Sequence, residues 1–207
     1  MPSPDTLISF LIAAVLLGLA PGPDNLFVLT QSALHGAKAG WLVTAGLCTG
    51  LLGHTTAVAF GVAVVFEQSL VAFTLLKLAG VLYLLYLAWL CLRSRHDDAA
   101  TTAPRLSGAK LYRRGVIMNL TNPKVSLFFL AFLPQFTQPD MGPIRQQLLL
   151  LGALFILATI VVFGLIATLS GSIGHYLQRH NGARRTLDRL SAVVFIALAA
   201  KLLTTSR

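Results

Sequence analysis

Charged residues are scarce in this chain. They make up 11% of its 207 residues, whereas 56% are hydrophobic. A soluble domain usually carries about a quarter charged residues, so this composition excludes an ordinary soluble protein. The apolar residues are grouped in long runs that end at short clusters of Arg, Lys, Pro and Gly. Such grouping is typical of membrane-spanning helices and predicts one membrane domain over residues 1–207.

Residue types that build catalytic and metal sites are also rare. The two cysteines, Cys48 and Cys91, lie inside apolar runs without a CxxC or Cys/His spacing, which excludes a disulfide framework and a zinc site. The sequence has no HExxH motif and no glycine-rich phosphate loop ending in Gly-Lys. We therefore expect no enzyme activity and no metal.

The formal net charge of +9 would suggest a nucleic-acid partner if the protein were soluble. Here, however, the basic residues follow the ends of apolar runs and are not interleaved with aromatic residues in a polar setting. Cytoplasmic loops of membrane proteins have this excess of Lys and Arg. We expect the chain to lie in a lipid bilayer and to bind no nucleic acid.

Six apolar runs are long enough to cross a hydrocarbon core of ~30 Å, which takes ~20 helical residues. They are continuously apolar, unlike barrel strands, in which polar and apolar residues alternate. The predicted fold class is therefore all-α and integral to the membrane. The predicted spans are Thr6–Thr30, Trp41–Phe66, Leu70–Leu92, Gly115–Phe136, Gln146–Gly174 and Leu187–Thr204.

The distribution of Lys and Arg predicts the orientation. Eleven of them lie in the predicted loops 31–40, 93–114 and 175–189, and three lie in the fourth loop and the C-terminal tail. Positive residues concentrate on the cytoplasmic side, so we expect these loops in the cytoplasm and both termini outside an inner membrane. Loop 93–114 would join two three-span halves, 1–92 and 115–207. An odd number of spans inverts the second half relative to the first, as in an inverted repeat.

Proline interrupts the first and the fourth span, which are the first spans of the two halves. The breaks are Pro21-Gly22-Pro23 and Asn122-Pro123. Proline removes a backbone donor and clashes with the preceding turn, and in a membrane such breaks persist where they line a cavity or pack in protein. Each break is expected to end one half-helix and to start another, whose N-terminus carries a partial positive charge into the membrane. Helix N-termini of this kind bind carboxylates.

A carboxylate and an ammonium follow the two breaks. Asp24 follows Pro23, and Lys124 follows Pro123. A charge at the bilayer centre costs ~2.5–3.5 kcal/mol, so each needs a partner or water. Together they complement the ammonium and the carboxylate of an α-amino acid, and we predict that they bind one. The alternatives are a helix cap at Asp24 and a structural ion pair between the two residues.

Further polar residues near the breaks extend the predicted substrate site. Asn25 follows Asp24 directly. Asn119, Asn122 and Ser126 lie at positions i, i+3 and i+7, which predicts one polar stripe on the fourth span. For this stripe, contact between helices is the alternative to substrate binding.

Two polar residues lie inside other spans. Histidine is the residue type that most often relays protons near neutral pH, so His54 is a candidate proton relay, although a hydrogen-bonded packing histidine explains it equally well. Lys77 is a candidate for the substrate or proton path, and snorkelling to the outer interface is the alternative.

Glycine pairs at a four-residue spacing occur in the first two spans. They are Gly18 with Gly22, and Gly46 with Gly50. This spacing permits helices to cross closely, so we predict close helix contacts at these positions.

At these residues the chain resembles the lysine exporter / homoserine–threonine exporter (LysE/RhtB) family. PGPDNLFVLTQSALHG and NLTNPKVSLFFLAFLPQF resemble that family's first-span and fourth-span signatures. KLAGVLYLLYLAWLCLR, which starts at Lys77, resembles its third span, and DRLSAVVFIALAAKLL resembles its last. The length, the six spans and the two proline breaks also agree with that family, so the resemblance covers nearly the whole chain. Ala192 follows Ser191 where the family would have glycine, which puts tight packing there in question.

The resemblance implies antiport that exports amino acids or derivatives of the homoserine, threonine or neutral type. It implies a proton or membrane potential as the driving force and no bound cofactor. The alternatives are a metal-cation exporter, which would want clustered Cys, His and Met, and an intramembrane enzyme. A homo-oligomer is compatible with all three. The family's motif positions fall on Pro21, Gly22, Pro23, Asp24, Asn25, Lys77, Asn122, Pro123 and Lys124.

Overall fold

The computed structural model describes residues 1–20, 22–62, 70–93, 105–179 and 181–204. Within these ranges every regular element is a helix and there is no strand. The all-α fold class predicted from the sequence is confirmed.

Eight α-helices follow one another along the described residues. They are α1 Pro4–Leu19, α2 Pro23–His35, α3 Ala37–Ala57, α4 Leu70–Arg93, α5 Gly108–Thr121, α6 Pro123–Leu127, α7 Ile144–Arg179 and α8 Asn181–Thr204. Wider π-helical turns continue α3 over Val58–Val62 and α6 over Phe128–Phe132. Tighter 3₁₀ turns follow at Leu133–Phe136 and Pro139–Met141.

Length and composition identify up to four membrane spans among the described residues. Two are unbroken helices, Ala37–Gly61 and Ile144–Ser170. Two are bent pairs: α1 with α2 at 61°, and α5 with Pro123–Phe136 at 50°. The two unbroken helices match the predicted second and fifth spans, and the two bent pairs match the predicted first and fourth spans. The predicted third and sixth spans fall on α4 and α8, whose passage through a membrane stays a prediction.

Both bent spans break where proline was predicted to break them. Gly22 has an extended backbone and precedes Pro23, the first residue of α2. Asn122 is extended between α5 and α6, and its Oδ1 accepts a hydrogen bond from the Lys124 N–H at 3.0 Å. Asn122 is therefore the N-cap of α6, and Pro123 is the first residue of that helix. Pro21 lies outside the described residues.

The prediction of a loop over residues 31–40 is wrong. Helix α2 runs to His35 and α3 begins at Ala37, so the turn consists of Gly36 with a φ of 87°. That left-handed backbone favours glycine. Ser32, in the last turn before Gly36, is buried and helical. Its Oγ donates a hydrogen bond to the Val28 carbonyl of the same helix at 2.7 Å.

Helices also shorten the other two predicted cytoplasmic loops. In loop 93–114, α5 already begins at Gly108, and residues 94–104 lie outside the described ranges. Loop 175–189 is helical on both sides of residue 180, since α7 and α8 occupy it. Hydropathy marks where apolar residues end, but a helix continues beyond that point until its backbone is interrupted.

Hydrogen bonds tie the N-terminal residues to the loop between Phe136 and α7. The Ser3 N–H donates to Gln138 Oε1 at 2.9 Å, and the Met1 nitrogen donates to the Met141 carbonyl. Gln147 of α7 fixes this loop, because its Nε2 donates to the Gln138 carbonyl at 2.8 Å. The N-terminus and this loop therefore lie at the same end of the molecule.

Glycines allow α3 and α5 to cross closely. A Cβ added to Gly46 would collide with the Tyr112 carbonyl oxygen, and one added to Gly115 would collide with that of Val43. A Cβ added to Gly50, one turn after Gly46, would collide with the side chain of Asn119 in α5. The close contact predicted from the second glycine pair is confirmed.

The other small residues singled out by the sequence pack differently. A Cβ on Gly18 would lie 3.5 Å from Val162, an ordinary contact, so no close crossing depends on that glycine. A Cβ on Gly22 would lie 3.1 Å from Lys124 Nζ. Ala192 is 1% exposed and belongs to the main apolar cluster, so alanine in place of glycine leaves the packing there uninterrupted.

Candidate functional site

The two helix breaks meet at a small cavity. Its polar lining consists of Asp24, Asn119, Lys124 and Thr159, and the remaining lining residues are apolar or glycine. The volume is about 20 Å³, which holds a water molecule but not an amino acid. The sequence-predicted charges are thus brought together, in a cavity too small for an amino acid.

The ammonium of Lys124 caps the broken end of α1. Its Nζ donates to the carbonyl oxygen of Ala20 at 3.0 Å and to that of Leu17 at 3.3 Å. These carbonyls lack partners within the helix, and the helix C-terminus carries a partial negative charge. The side chain is 8% exposed. Since a lysine ammonium has three N–H donors, one donor remains for another acceptor.

Asp24, the second residue of α2, is held through one of its two oxygens. Its Oδ2 accepts a hydrogen bond from Asn122 Nδ2 at 2.8 Å. Asn122 also caps α6, so one amide side chain joins the two breaks. Asp24 is 3% exposed, and its Oδ1 has no hydrogen-bond partner in the described part of the chain. A buried acceptor left in this way costs free energy until a donor reaches it.

Asp24 and Lys124 occupy equivalent places but do not bond each other. Each is the second residue of the helix that restarts after its break. Within the described residues, their hydrogen bonds go to Asn122 and to carbonyls of α1. The direct structural ion pair, one alternative from the sequence, is not formed. Both charged groups keep unused hydrogen-bonding capacity.

Two asparagines add unpaired oxygens at the breaks. Asn25 Nδ2 donates to the Gly18 carbonyl at 2.6 Å. Asn119, in the last turn of α5, is 2% exposed. The Oδ1 atoms of both side chains are buried without a hydrogen-bond partner among the described residues. With Asp24, three side chains therefore present unsatisfied acceptors.

The single polar stripe predicted on the fourth span is wrong, because the break divides it. Asn122 is extended, so Asn119 and Ser126 belong to different helices. Asn119 lines the cavity and Asn122 holds Asp24. Ser126 is half-buried, and its Oγ donates to the Asn122 carbonyl at 3.1 Å, which places it outside the cavity lining.

The structure places the two candidate proton-path residues differently. His54 Nε2 lies 3.3 Å from the Asn119 carbonyl oxygen, and its ring centroid lies 5.5 Å from that of Phe129. His54 therefore contacts the backbone at the break without lining the cavity. Lys77 Nζ donates to the Leu203 carbonyl at 3.4 Å, near the end of α8.

Helix α7 contributes cavity residues that sequence reasoning missed. Thr159 lines the cavity, and so do Phe155 one turn before it and Phe163 one turn after it. Residues four apart share one face of a helix, so the three form a continuous wall. The available signal was one threonine in the apolar run 148–167 of the fifth span.

Sequence comparison relates the chain to membrane efflux proteins. The model of the LysE type translocator family matches residues 15–206. The homoserine/homoserine lactone efflux proteins of Salmonella typhi and Salmonella typhimurium (strain LT2) are each 36% identical over 171 residues, which is 82% of this chain and 82% of theirs. An uncharacterized membrane protein of Vibrio cholerae is 33% identical over 198 residues, covering 95% of this chain and 96% of its own. No solved structure matches the chain.

Proposed function

Since the chain belongs to the LysE type translocator family, we propose that it exports small amino acids or their derivatives across the inner membrane by antiport driven by the proton-motive force. It is a transporter and not an enzyme. Two relatives are named for efflux of homoserine and its lactone. We extend substrates of this size and type, including threonine and other small neutral amino acids, to this chain.

The observation that carries the proposal is the set of unpaired acceptor oxygens at the breaks. Asp24 and Asn119 line one cavity, and the Oδ1 atom of each is buried without a partner in the described residues. A primary ammonium has three N–H donors and a positive charge, so it can satisfy such acceptors and pair with a carboxylate in a charge-assisted bond. We assign the α-ammonium of the substrate to this place.

The carboxylate of the substrate is assigned to the opposite charge. Lys124 keeps one N–H after its bonds to Leu17 and Ala20. The N-terminus of α2 adds donors, because Gly22 gives that helix no side-chain cap and its first-turn N–H groups are free for an anion. Helix α6, in contrast, is already capped by Asn122. The carboxylate would therefore bind between Lys124 and the start of α2.

Substrate binding requires the helices around the breaks to move apart. A cavity of about 20 Å³ does not admit an amino acid, so the site has to widen before substrate binds. Alternating access in transporters with broken helices moves one group of helices against the other around a fixed site. The breaks beside Gly22 and Asn122 are natural points for that motion.

Asp24 also gives a simple basis for proton coupling. A carboxylate can carry a proton or pair with the substrate ammonium, but it does not do both at once. Release of substrate outside would let Asp24 take up a proton and return with it. His54, bonded at the backbone of Asn119, and Lys77, at the end of α8, stay our candidates for the proton path.

We further propose that the halves 1–92 and 115–207 are inverted repeats of one six-span membrane domain. The packing pattern supports this: the bent first span packs on α7 as the bent fourth span packs on α3, while α3 packs on α7 and α4 on α8. A two-fold axis that exchanges the halves would interchange the first two contacts and map each of the last two onto itself. The excess of Lys and Arg in loops 31–40, 93–114 and 175–189 supports cytoplasmic loops and outside termini.

Transport in proteoliposomes tests the proposal. We expect the purified protein to accumulate radiolabelled homoserine or threonine when a pH gradient is imposed, and to stop when an uncoupler is added. Asp24→Asn should abolish accumulation, because it removes the carboxylate that would pair with the substrate ammonium and carry the coupled proton. Asp140→Asn is the matched control, since Asp140 is an exposed carboxyl in a loop.

Two results would contradict different parts of the proposal. Normal accumulation by Asp24→Asn would place the substrate site elsewhere. If the wild-type protein accumulated neither these two amino acids, nor homoserine lactone, nor any other small neutral amino acid, export of this substrate class would be wrong.

A further inference from the structure

Four buried hydroxyl groups in the described helices donate to the backbone of their own helix. Ser and Thr in helices usually make this bond to a carbonyl three or four residues earlier. The pairs are Ser32 with Val28, Thr44 with Gly40, Thr55 with Leu51, and Ser170 with Ala167. Thr159 is 6% exposed, as buried as Thr55, yet it makes no hydrogen bond to any described residue.

The surroundings of Thr159 explain what its hydroxyl faces. It lines the cavity at the helix breaks, on the wall formed by α7, between the rings of Phe155 and Phe163. The other polar lining residues, Asp24, Asn119 and Lys124, come from α2, α5 and α6. Among the cavity residues, α7 thus offers one hydroxyl group between two aromatic rings.

We propose that Thr159 is a specificity-determining residue that hydrogen-bonds a hydroxyl group on the side chain of the substrate. This inference rests on the proposed function, in which Asp24 and Lys124 hold the ammonium and the carboxylate. The substrate side chain is then left to face α7. Its hydroxyl pairs with that of Thr159, and the rings of Phe155 and Phe163 restrict the side chain to a few atoms.

Discrimination follows from the cost of an unpaired buried polar group. A site that hydrogen-bonds a substrate hydroxyl binds the analogue without it less well, because the protein group loses its partner. An apolar pocket of the same size discriminates weakly between the two. Thr159 would therefore set the preference for a hydroxylated amino acid over its deoxy analogue.

Competition between three ligands of one carbon skeleton tests the inference. Homoserine and threonine carry a hydroxyl on different carbons, and 2-aminobutyrate carries none. Inhibition of labelled homoserine transport by each unlabelled ligand gives an apparent affinity, and the ratio to 2-aminobutyrate gives the selectivity. We expect Thr159→Val to lower the selectivity for at least one hydroxylated ligand about tenfold. The apparent affinity for 2-aminobutyrate should not fall.

Two variants separate recognition from packing. Thr159→Ser keeps the hydroxyl and should keep the selectivity. Thr55→Val removes an equally buried hydroxyl that is bonded to its own helix at 2.8 Å and does not line the cavity. It should leave the selectivity unchanged even where the protein becomes less stable. If Thr159→Val does not reach the membrane, Thr159→Ala takes its place.

The outcomes distinguish this inference from the proposed function. Unchanged selectivity in an active Thr159→Val protein, or an equal loss of affinity for all three ligands, would refute the role of Thr159 and leave export untouched. Loss of selectivity in Thr159→Ser would also refute it. If the wild-type protein transported none of the three ligands and was not inhibited by them, both conclusions would fall.

Discussion

Replacing Lys124 with methionine tests whether its ammonium holds the broken first span together. The two side chains have similar lengths, but methionine cannot donate a hydrogen bond. The carbonyl oxygens of Ala20 and Leu17 would lose the donor that now lies 3.0 Å and 3.3 Å away. Asp24, in the same cavity, would lose the opposite charge.

The expected cost can be estimated from these contacts. Each buried acceptor left unpaired costs about 1–3 kcal/mol, with less for the longer bond. Asp24 shares the cavity with Lys124 without an ion pair, so it loses only a longer-range attraction, and removing the buried ammonium also removes the cost of its desolvation. From the two carbonyls alone, we therefore expect Lys124→Met to lower the free energy of unfolding by about 2–5 kcal/mol. The double variant with Asp24→Asn should recover the part due to the unpaired carboxylate and stay about 1–3 kcal/mol below the wild type.

Unfolding by SDS in mixed micelles, followed by circular dichroism, measures these differences. Lys77→Met is the matched control, because Lys77 also donates to a carbonyl near a helix end, but over a longer 3.4 Å and from a side chain that is only half-buried. Its loss should change the free energy of unfolding by no more than about 1 kcal/mol. Export is measured on the same proteins, and the double variant should be folded but inactive.

Two observations would refute this reasoning. If Lys124→Met unfolded at the same SDS fraction as Lys77→Met, the capping of α1 would contribute no stability. If the double variant exported substrate, Asp24 and Lys124 would be a structural pair and not the substrate site.

Gly46→Ala is expected to destabilise the protein by about 1–3 kcal/mol, because its Cβ would collide with backbone atoms of α5. Gly61→Ala, whose Cβ has no described residue within 4 Å, should be neutral or stabilise by about 0.5–1 kcal/mol, and the same SDS titration compares the two. Thr101→Cys and Gln68→Cys, in a background without native cysteines, should label from opposite sides with an impermeant thiol reagent. Labelling of position 101 from outside would show that the predicted orientation is wrong. Export should stop when an uncoupler collapses the proton gradient but continue when ATP is depleted with the gradient held; uphill export after uncoupling would exclude proton-driven transport.

The helix breaks were predictable because proline acts on its own backbone and the preceding turn. Asn122 as a cap and Pro123 as a first helical residue follow from local rules, and the structure has both. The meeting of Asp24 with Lys124 was predictable from their equivalent places in the two halves. The helix ends near His35 and Gly108 were not, because apolar content marks the membrane edge and not the end of backbone hydrogen bonding.

The partners within the site could not be predicted from the sequence. Lys124 donates to backbone carbonyls of α1, and a carbonyl acceptor carries no residue-specific signal. Thr159 was missed because the run around it is apolar on all sides, so no periodicity indicates which face of α7 meets the cavity. The prediction of one polar stripe was wrong because Asn122 caps the new helix α6. A residue in that role cannot also continue α5.

The bonds between Lys124 and α1 have a consequence for biosynthesis. Lys124 follows Ala20 by 104 residues, so at ~5–20 residues per second the ribosome supplies it roughly 5–20 s after the end of α1. The Gly18 carbonyl need not wait, because its donor Asn25 follows seven residues later. The Leu17 and Ala20 carbonyls must be hydrated or bonded to the insertion machinery during this interval. The first span therefore reaches its final state after the fourth has inserted, and a fragment that ends before residue 115 should remain a substrate for membrane proteases unless the second half is made in the same membrane.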